Sequence, residues 1–135
     1  MIGLDTNVLV RYILDDDPVW SPIATDFIDT KLSPQRPGYI NPITLVELVW
    51  TIRRLPQFDR EKLAFLIENL LLADTIVVGE ADAVSRALAA YKSGSAGFAD
   101  YLIAELNEAA GASSTVTIDR KAGKSLPFTP LSQGA

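Results

Sequence analysis

Short runs of apolar and β-branched residues alternate along the chain with longer segments whose apolar residues recur every three or four positions. The short runs are typical of buried strands, and the longer segments are typical of amphipathic helices. Strands are predicted near residues 2–4, 38–40, 75–78, 114–118 and 128. Strands that alternate with helices in this way predict an α/β fold with a parallel sheet that is covered on both faces.

Helix boundaries are indicated by proline, glycine and residues that cap helix ends. Helices are predicted over residues 7–14, 21–31, 42–55, 59–72, 81–91 and 98–110. Ser21 precedes Pro22, so we expect Ser21 to be the N-cap of the second helix. Asn41 and Asp59 are expected to begin the third and fourth helices, and Gly111 is suited to end the last one.

The length of 135 residues supports one domain with one core, since a domain of about 150 residues buries roughly 68–70% of its unfolded surface. An apolar fraction of 48% and a charged fraction of 21% indicate a folded chain. We predict a single domain over 1–135 with a mobile tail from about residue 130. Asp5 interrupts the apolar start, and no apolar run reaches the about 20 residues that cross a bilayer, so we expect a cytoplasmic protein without a membrane segment.

Cysteine and histidine are both absent from the sequence. Their absence excludes disulfides, zinc fingers, Ser–His–Asp triads and metals held by histidine. Acid–base or metal chemistry must therefore use carboxylates, lysine, tyrosine or water. The 12 basic and 17 acidic residues give a net charge of −5, which at first argues against a nucleic-acid partner. The positions of the acids matter more than their sum.

Four acidic residues are candidates for the ligand-binding site of an α/β sheet. Asp5 and Asp119 each follow a predicted strand directly, and ligands of parallel sheets bind beyond the carboxyl ends of the strands. Asp100 lies in the first turn of a predicted helix, where the helix dipole favours negative charge. Glu47 interrupts an apolar helical segment, and a carboxylate there is costly to bury unless a cation or a donor meets it.

Each acid has a simpler interpretation when it is taken alone. Asp5 and Asp119 could cap the segments that follow them, Asp100 could match the helix dipole, and Glu47 could be a surface residue. Taken together, four carboxylates without histidine suit a hard divalent cation such as Mg²⁺ or Mn²⁺. If these four residues bind cations, the remaining charges of the chain nearly balance, so the acidic total does not exclude RNA.

Four sequence segments carry a resemblance to a known family. They are MIGLDTNVLVRYIL, INPITLVELVW, GFADYLIAEL and TVTIDRKAGK, in that order. With them the chain resembles PIN domains, and specifically the VapC-type toxins of toxin–antitoxin pairs. The resemblance implies a three-layer α/β/α domain, Mg²⁺- or Mn²⁺-dependent endoribonuclease activity, a homodimer and an antitoxin partner. It also implies an acidic quartet of catalytic metal ligands, namely Asp5, Glu47, Asp100 and Asp119, with Thr6 and Asn7 supporting the first aspartate and its water shell.

The chain departs from the family pattern at one position. Many relatives carry a further acid three residues before the position of Asp100, where this chain has Gly97. Candidate contacts to the RNA backbone are Arg120 and Lys121, which follow Asp119, and Arg11, which could instead pair with an acid. Without histidine, we expect water to attack the phosphodiester and to leave a 5′-phosphate.

Two other functions fit parts of the sequence. The first is a PIN-fold binding module that has lost its activity. The second is a phosphotransferase with Asp5 as nucleophile, although the second acid that such a site needs is replaced by Asn7. Trp50 is expected in the core beside Leu48 and Val49, and part of this apolar surface is a candidate interface.

Overall fold

The computed structural model describes residues 1–119 and 127–131. The chain divides into two compact units, one formed by Met1–Ala81 and the other beginning at Asp82. This division does not test the prediction of a single domain, which stays a prediction. In both units, the strands pair in parallel with one another, and helices connect the strands of the first unit. The predicted α/β class is confirmed.

Three short parallel strands form the sheet of the first unit in the order β1-β2-β3. They are β1 (Ile2–Gly3), β2 (Gly38–Ile40) and β3 (Ile76–Val78). β2 is the middle strand, and its last residue, Ile40, is completely buried. Each strand lies where the apolar runs predicted it, but β1 and β3 are one residue shorter.

Four α-helices and one π-helical turn cover this sheet. They are α1 (Thr6–Leu14), α2 (Trp20–Asp26), a π-helical turn over Phe27–Lys31, α3 (Pro42–Ile52) and α4 (Arg60–Leu72). The predicted caps of α3 and α4 are confirmed. The Asn41 side chain accepts a hydrogen bond of 2.8 Å from the N–H of Thr44, and the Asp59 carboxylate accepts one of 2.9 Å from the N–H of Lys62.

The start of α2 differs from the prediction, because Asp17 rather than Ser21 binds its first N–H groups. The Asp17 carboxylate accepts hydrogen bonds from the N–H groups of Val19 (2.9 Å) and Trp20 (2.7 Å). These bonds, with the one from Trp20 as the larger cause, lower the pKa of Asp17. Ser21 is completely buried, and its hydroxyl donates to the carbonyl oxygen of Arg11 at 2.8 Å. Ser21 therefore joins α2 to α1.

The apolar spacing of α3 predicts its buried face correctly except at one residue. Leu45, Leu48, Val49 and Ile52 are each 3% exposed or less. Trp50 is 44% exposed, so its predicted place in the core is wrong. Residues 45, 48, 49 and 52 lie along one side of the helix, and Trp50 falls outside that stripe.

The second unit contains two helices and a parallel pair of strands. They are α5 (Ala81–Ser93), α6 (Phe98–Ala109), β4 (Thr115–Thr117) and β5 (Phe128–Pro130). Aromatic rings fill the core, where the centroids of Tyr91 and Phe98 are 6.0 Å apart and those of Tyr101 and Phe128 are 5.7 Å apart. An ion pair of 2.9 Å between Arg86 and Glu105 joins α5 to α6, and this hydrogen bond raises the pKa of Arg86.

The predicted glycine end of α6 is confirmed. Gly111 has a φ of +101°, which glycine adopts without steric cost. Its N–H donates to the carbonyl of Glu108, and the N–H of Ala112 donates to the carbonyl of Asn107, both at 2.9 Å. This pair of bonds is the Schellman arrangement.

The C-terminal segment is described only in part. Pro130 belongs to β5, and the N–H of Leu131 donates to the carbonyl of Thr117 at 2.7 Å. The rest of the expected tail, residues 132–135, lies outside the described residues. No helix in the described ranges is long and apolar enough to cross a membrane.

Gly94 provides a test of the packing in the second unit. A Cβ atom at Gly94 would overlap the hydroxyl of buried Tyr101 and would lie 2.9 Å from the carbonyl oxygen of Ala90. Gly94→Ala is therefore expected to lower the free energy of unfolding by about 1–3 kcal/mol, as overpacking does. Gly3→Ala is the control, since a Cβ there has no atom within 4 Å. Urea unfolding that gives the two variants equal stability would contradict this packing.

Candidate active site

Asp5 lies just beyond β1 and caps α1. Its backbone is extended, and its Oδ1 accepts a hydrogen bond of 2.8 Å from the N–H of Thr6. The N-cap interpretation of Asp5 is therefore correct, but it accounts for only part of the side chain. The side chain is exposed, and the cap uses one of its two carboxylate oxygens.

Thr6 connects this aspartate to the second predicted acid. The Thr6 hydroxyl donates a hydrogen bond of 2.9 Å to Oε1 of Glu47, across 41 positions of the sequence. Asp5 and Glu47 thus accept hydrogen bonds from the backbone and the side chain of the same residue. The packing of α1 against α3 makes this possible.

Glu47 takes the simpler of its two interpretations, which is that of a surface residue. Glu47 is exposed, because it lies outside the buried stripe of α3, on a face that also carries the exposed side chains of Ile43 and Trp50. No cation is needed to compensate a desolvation cost, so this argument for a metal no longer applies. Glu47 remains an exposed carboxylate with one oxygen fixed by Thr6.

Asn7 and Arg11 line an apolar groove of the first unit. The groove has a volume of about 620 Å³ and lies between β1, α1 and α2, with Trp20 and Phe27 among its walls. Nη1 of Arg11 is 3.1 Å from Oδ1 of Asp16. Arg11 therefore takes the alternative that the sequence left open, which is pairing with an acid.

The other two predicted acids belong to the second unit. Asp100 is the third residue of α6 and is half-buried, and its Oδ2 accepts a hydrogen bond of 3.1 Å from the N–H of Gly97. This bond is one of the two hydrogen bonds of a capping box. The other would need an N-cap side chain to accept from the N–H of Asp100, and glycine has no side chain. Asp119 follows β4 and is exposed, and its N–H donates to Oγ1 of Thr117 at 3.0 Å.

Gly97 leaves room for the acid that the family pattern has at this position. Its φ of −74° is open to any residue. A Cβ there would lie 3.3 Å from Oδ2 of Asp100, which a small movement of that side chain relieves. An aspartate at this position would stand beside Asp100.

The structure thus joins two of the predicted acids through Thr6 in one unit and holds the other two in the second. In neither unit do three carboxylates of the described residues gather into a metal-binding cluster. The gathering of all four at one metal centre stays a prediction. The predicted backbone contacts Arg120 and Lys121, and the nearby Lys124, lie outside the described residues.

One feature near the site was missed by the sequence analysis. Trp50 is three positions after Glu47 on the same side of α3, and Arg54 lies in the turn that follows this helix. Both side chains are exposed. The signal was present in the sequence, but an apolar neighbourhood led to Trp50 being assigned to the core.

The family model for the PIN domain matches residues 2–124. The chain belongs to the PIN domain family. Members of this family are generally nucleases, which supports hydrolysis of phosphodiester bonds. The PIN fold, with its α/β/α organisation, is confirmed at the level of the family. No curated protein and no solved structure shows significant similarity to this PIN domain.

The bond between Thr6 and Glu47 can be tested by a double-mutant cycle. Thr6→Val and Glu47→Ala each remove one partner, and their effects on the free energy of unfolding are expected to be coupled by about 0.5–1.5 kcal/mol, the net value of a typical hydrogen bond. Thr6→Ser keeps the hydroxyl and should keep the coupling.

Thr51→Val is a matched control for this cycle. Thr51 donates to the backbone carbonyl of Glu47 and not to its carboxylate, so it should show no coupling with Glu47→Ala. Equal coupling in both cycles, measured by urea unfolding, would contradict a specific bond between Thr6 and the Glu47 side chain.

Proposed function

We propose that this PIN domain is an endoribonuclease that hydrolyses RNA with Mg²⁺ or Mn²⁺, and that it is the VapC-type toxin of a toxin–antitoxin pair. The observation that carries the proposal is the pair of hydrogen bonds from Thr6 to Asp5 and Glu47. In a family of nucleases, these bonds fix two carboxylates that lie far apart in the sequence. Homodimer formation and an antitoxin protein as partner belong to the same proposal.

The four predicted acids have the ligand atoms that a hard divalent cation prefers. Asp5, Glu47, Asp100 and Asp119 offer only oxygen atoms, which Mg²⁺ and Mn²⁺ prefer. Asp5 and Glu47 each use one carboxylate oxygen in the bonds to Thr6. The second oxygen of each accepts no hydrogen bond from a described residue. These oxygens are the ones that would hold the ion.

The reaction we propose is attack of water on the phosphorus, with cleavage of the bond to the 3′ oxygen. The products are a 5′-phosphate and a 3′-hydroxyl. A bound cation would supply a more acidic water and would offset negative charge on the phosphate. The carboxylates would hold the cation and orient its bound water, and the hydrogen bond from Thr6 fixes the carboxylate of Glu47. No imidazole is present in the chain to move a proton.

Basic side chains are proposed to hold the RNA backbone. Arg11 would exchange Asp16 for a phosphate, and this exchange costs little because exposed ion pairs are worth about 0–1 kcal/mol. Arg120 and Lys121 follow Asp119 in the sequence and are proposed to contact the backbone near the cleaved bond.

The second candidate function is a PIN-fold binding module without activity. The exposure of Glu47 is compatible with such a module, because a carboxylate on the surface needs no cation to offset a cost of burial. The two candidates differ in metal binding. A cation that binds only the folded chain raises its melting temperature by an amount that grows with the logarithm of its concentration above Kd, whereas an inactive module has no need to retain a site.

Cleavage of a structured RNA such as tRNA tests the proposed reaction. The full chain with Mn²⁺ should produce fragments that carry 5′-phosphates. Asp5→Asn is expected to lower the rate more than about 100-fold, since even outer partners of metal ligands typically contribute 10–100-fold. EDTA should abolish cleavage.

Asp74→Asn is the matched control, because Asp74 is an exposed acid of the first unit that precedes β3. It should cleave like the wild type. Fragments with cyclic or 3′-phosphate ends, or equal cleavage by Asp5→Asn and the wild type, would contradict the proposal. Expression toxicity that Asp5→Asn relieves would test the toxin role separately.

The missing acid at position 97 gives a test that does not depend on cleavage. Gly97→Asp adds a carboxylate next to Asp100, so the same Mn²⁺ concentration should raise the melting temperature by more than it does in the parent chain. Gly97→Asn is the control, because asparagine caps a helix as well as aspartate but adds no charge. If both variants respond to Mn²⁺ alike, position 97 does not contribute to the metal site.

A further inference from the structure

The face of α3 that carries Glu47 continues beyond it with an aromatic ring and two cations. Trp50 is one helical turn after Glu47, and Arg53 and Arg54 are one turn after Trp50. Side chains three positions apart on a helix are neighbours, with about 5–6 Å between their Cβ atoms. This spacing relates Glu47 to Trp50 and Trp50 to Arg53, which is the C-cap of α3. Arg54 lies in the turn that follows. The N–H of Arg53 donates to the carbonyl of Val49 at 3.0 Å, so the helical turn extends to this residue. We call Glu47, Trp50, Arg53 and Arg54 the α3 outer face.

The core does not require the indole ring of this face. Leu45, Leu48, Val49 and Ile52 fill the buried side of α3, while Trp50 keeps 44% of its surface exposed. An exposed aromatic ring beside cations is the combination with which proteins bind unpaired bases and the phosphates between them.

The two arginines are not neutralised by neighbouring acids. Arg53 and Arg54 are exposed, and neither forms an ion pair with another residue in the described ranges. Two uncompensated guanidinium groups stand out in a chain with a net charge of −5. Phosphates are the anions that guanidinium groups match best.

The other exposed tryptophan has the opposite electrostatic setting. Trp20 is 61% exposed and lines the apolar groove. The cation of that groove, Arg11, is already paired with Asp16, and Asp17 binds the N–H of Trp20. A phosphate that binds Arg11 must first displace Asp16, whereas the two arginines of the α3 outer face have no acid to release among the described residues. Charge complementarity therefore favours the α3 outer face.

We propose that the α3 outer face binds a single-stranded segment of RNA, with an unpaired base stacked on Trp50 and the adjoining phosphate on Arg53 and Arg54. The inference rests on the proposed ribonuclease function for the meaning of Glu47, but binding itself needs no cleavage. Bases in a duplex have both faces covered, so the substrate class is unpaired RNA, such as loops and ends. Trp50 and the arginines are positioning residues for the strand that passes Glu47.

Fluorescence anisotropy with labelled oligouridylate tests this assignment. The full chain with Asp5→Asn, in Mg²⁺, should bind the oligonucleotide without cutting it. Trp50→Ala should weaken binding by roughly 5- to 150-fold, the range for loss of one base stack. Trp20→Ala is the matched control and should bind like its parent. A hairpin duplex of the same length should bind more weakly than the single strand.

Salt dependence separates phosphate contacts from a general change of structure. Replacing Arg53 and Arg54 together by glutamine should reduce the slope of log affinity against log salt by about 0.7, which is the contribution of the one single-strand phosphate that the two arginines are proposed to share. Arg36→Gln, an exposed arginine elsewhere in the same unit, should leave the slope unchanged. In a Trp20→Phe chain, the remaining emission of Trp50 should be quenched on binding.

Unchanged RNA affinity in Trp50→Ala, or an unchanged salt slope in the double arginine variant, would overturn the assignment even if the chain is a nuclease. If Trp50→Ala instead dissociates a dimer and leaves RNA affinity intact, the face is a protein interface and the proposal is wrong. If the predicted binding changes occur but the wild type cuts no RNA, the proposed function fails and the binding site stands.

Discussion

The hydrogen bond between Thr6 and Glu47 is the interaction on which the candidate site of the first unit depends. It requires β1 to end where it does, α1 to begin at Thr6 with Asp5 as its cap, and α3 to pack against α1. One residue then serves two carboxylates, one through its backbone and one through its side chain. Such fixed donors preorganise a site, because neither acid must be reoriented when a ligand arrives.

Local signals in the sequence predicted a helix boundary correctly where one capping residue determines it. Asn41 and Asp59 cap their helices as expected, because the bond runs between positions three apart. Ser21 failed as a cap for the opposite reason. Its hydroxyl is used by a residue ten positions away in another helix, and tertiary packing of this kind is not visible in a local pattern.

The candidate site was predictable in its residue types but not in its environment. The order of the four motifs pointed to Asp5, Glu47, Asp100 and Asp119, and the PIN family match covers all of them. The exposure of Glu47 and Trp50 could not be deduced from their apolar neighbours, since a helix rotates by about 100° per residue and adjacent positions face different surroundings. The apolar neighbours of Glu47 in the sequence therefore suggested burial, although its position around the helix faces solvent.

The arginines at the end of α3 also act on the helix itself. Cations near a helix C-terminus are attracted to its partial negative charge, an effect that weakens as salt shortens the Debye length from about 10 Å at 0.1 M. Arg53 and Arg54 therefore help to hold the last turn of the helix that presents Glu47. Ionic strength would act on the fraying of this turn and on attraction of a polyanion in the same direction. Helix stability and RNA attraction at this end of α3 should therefore both decrease as the salt concentration rises. The last turn of the helix frays most under the conditions in which its surface attracts phosphate least.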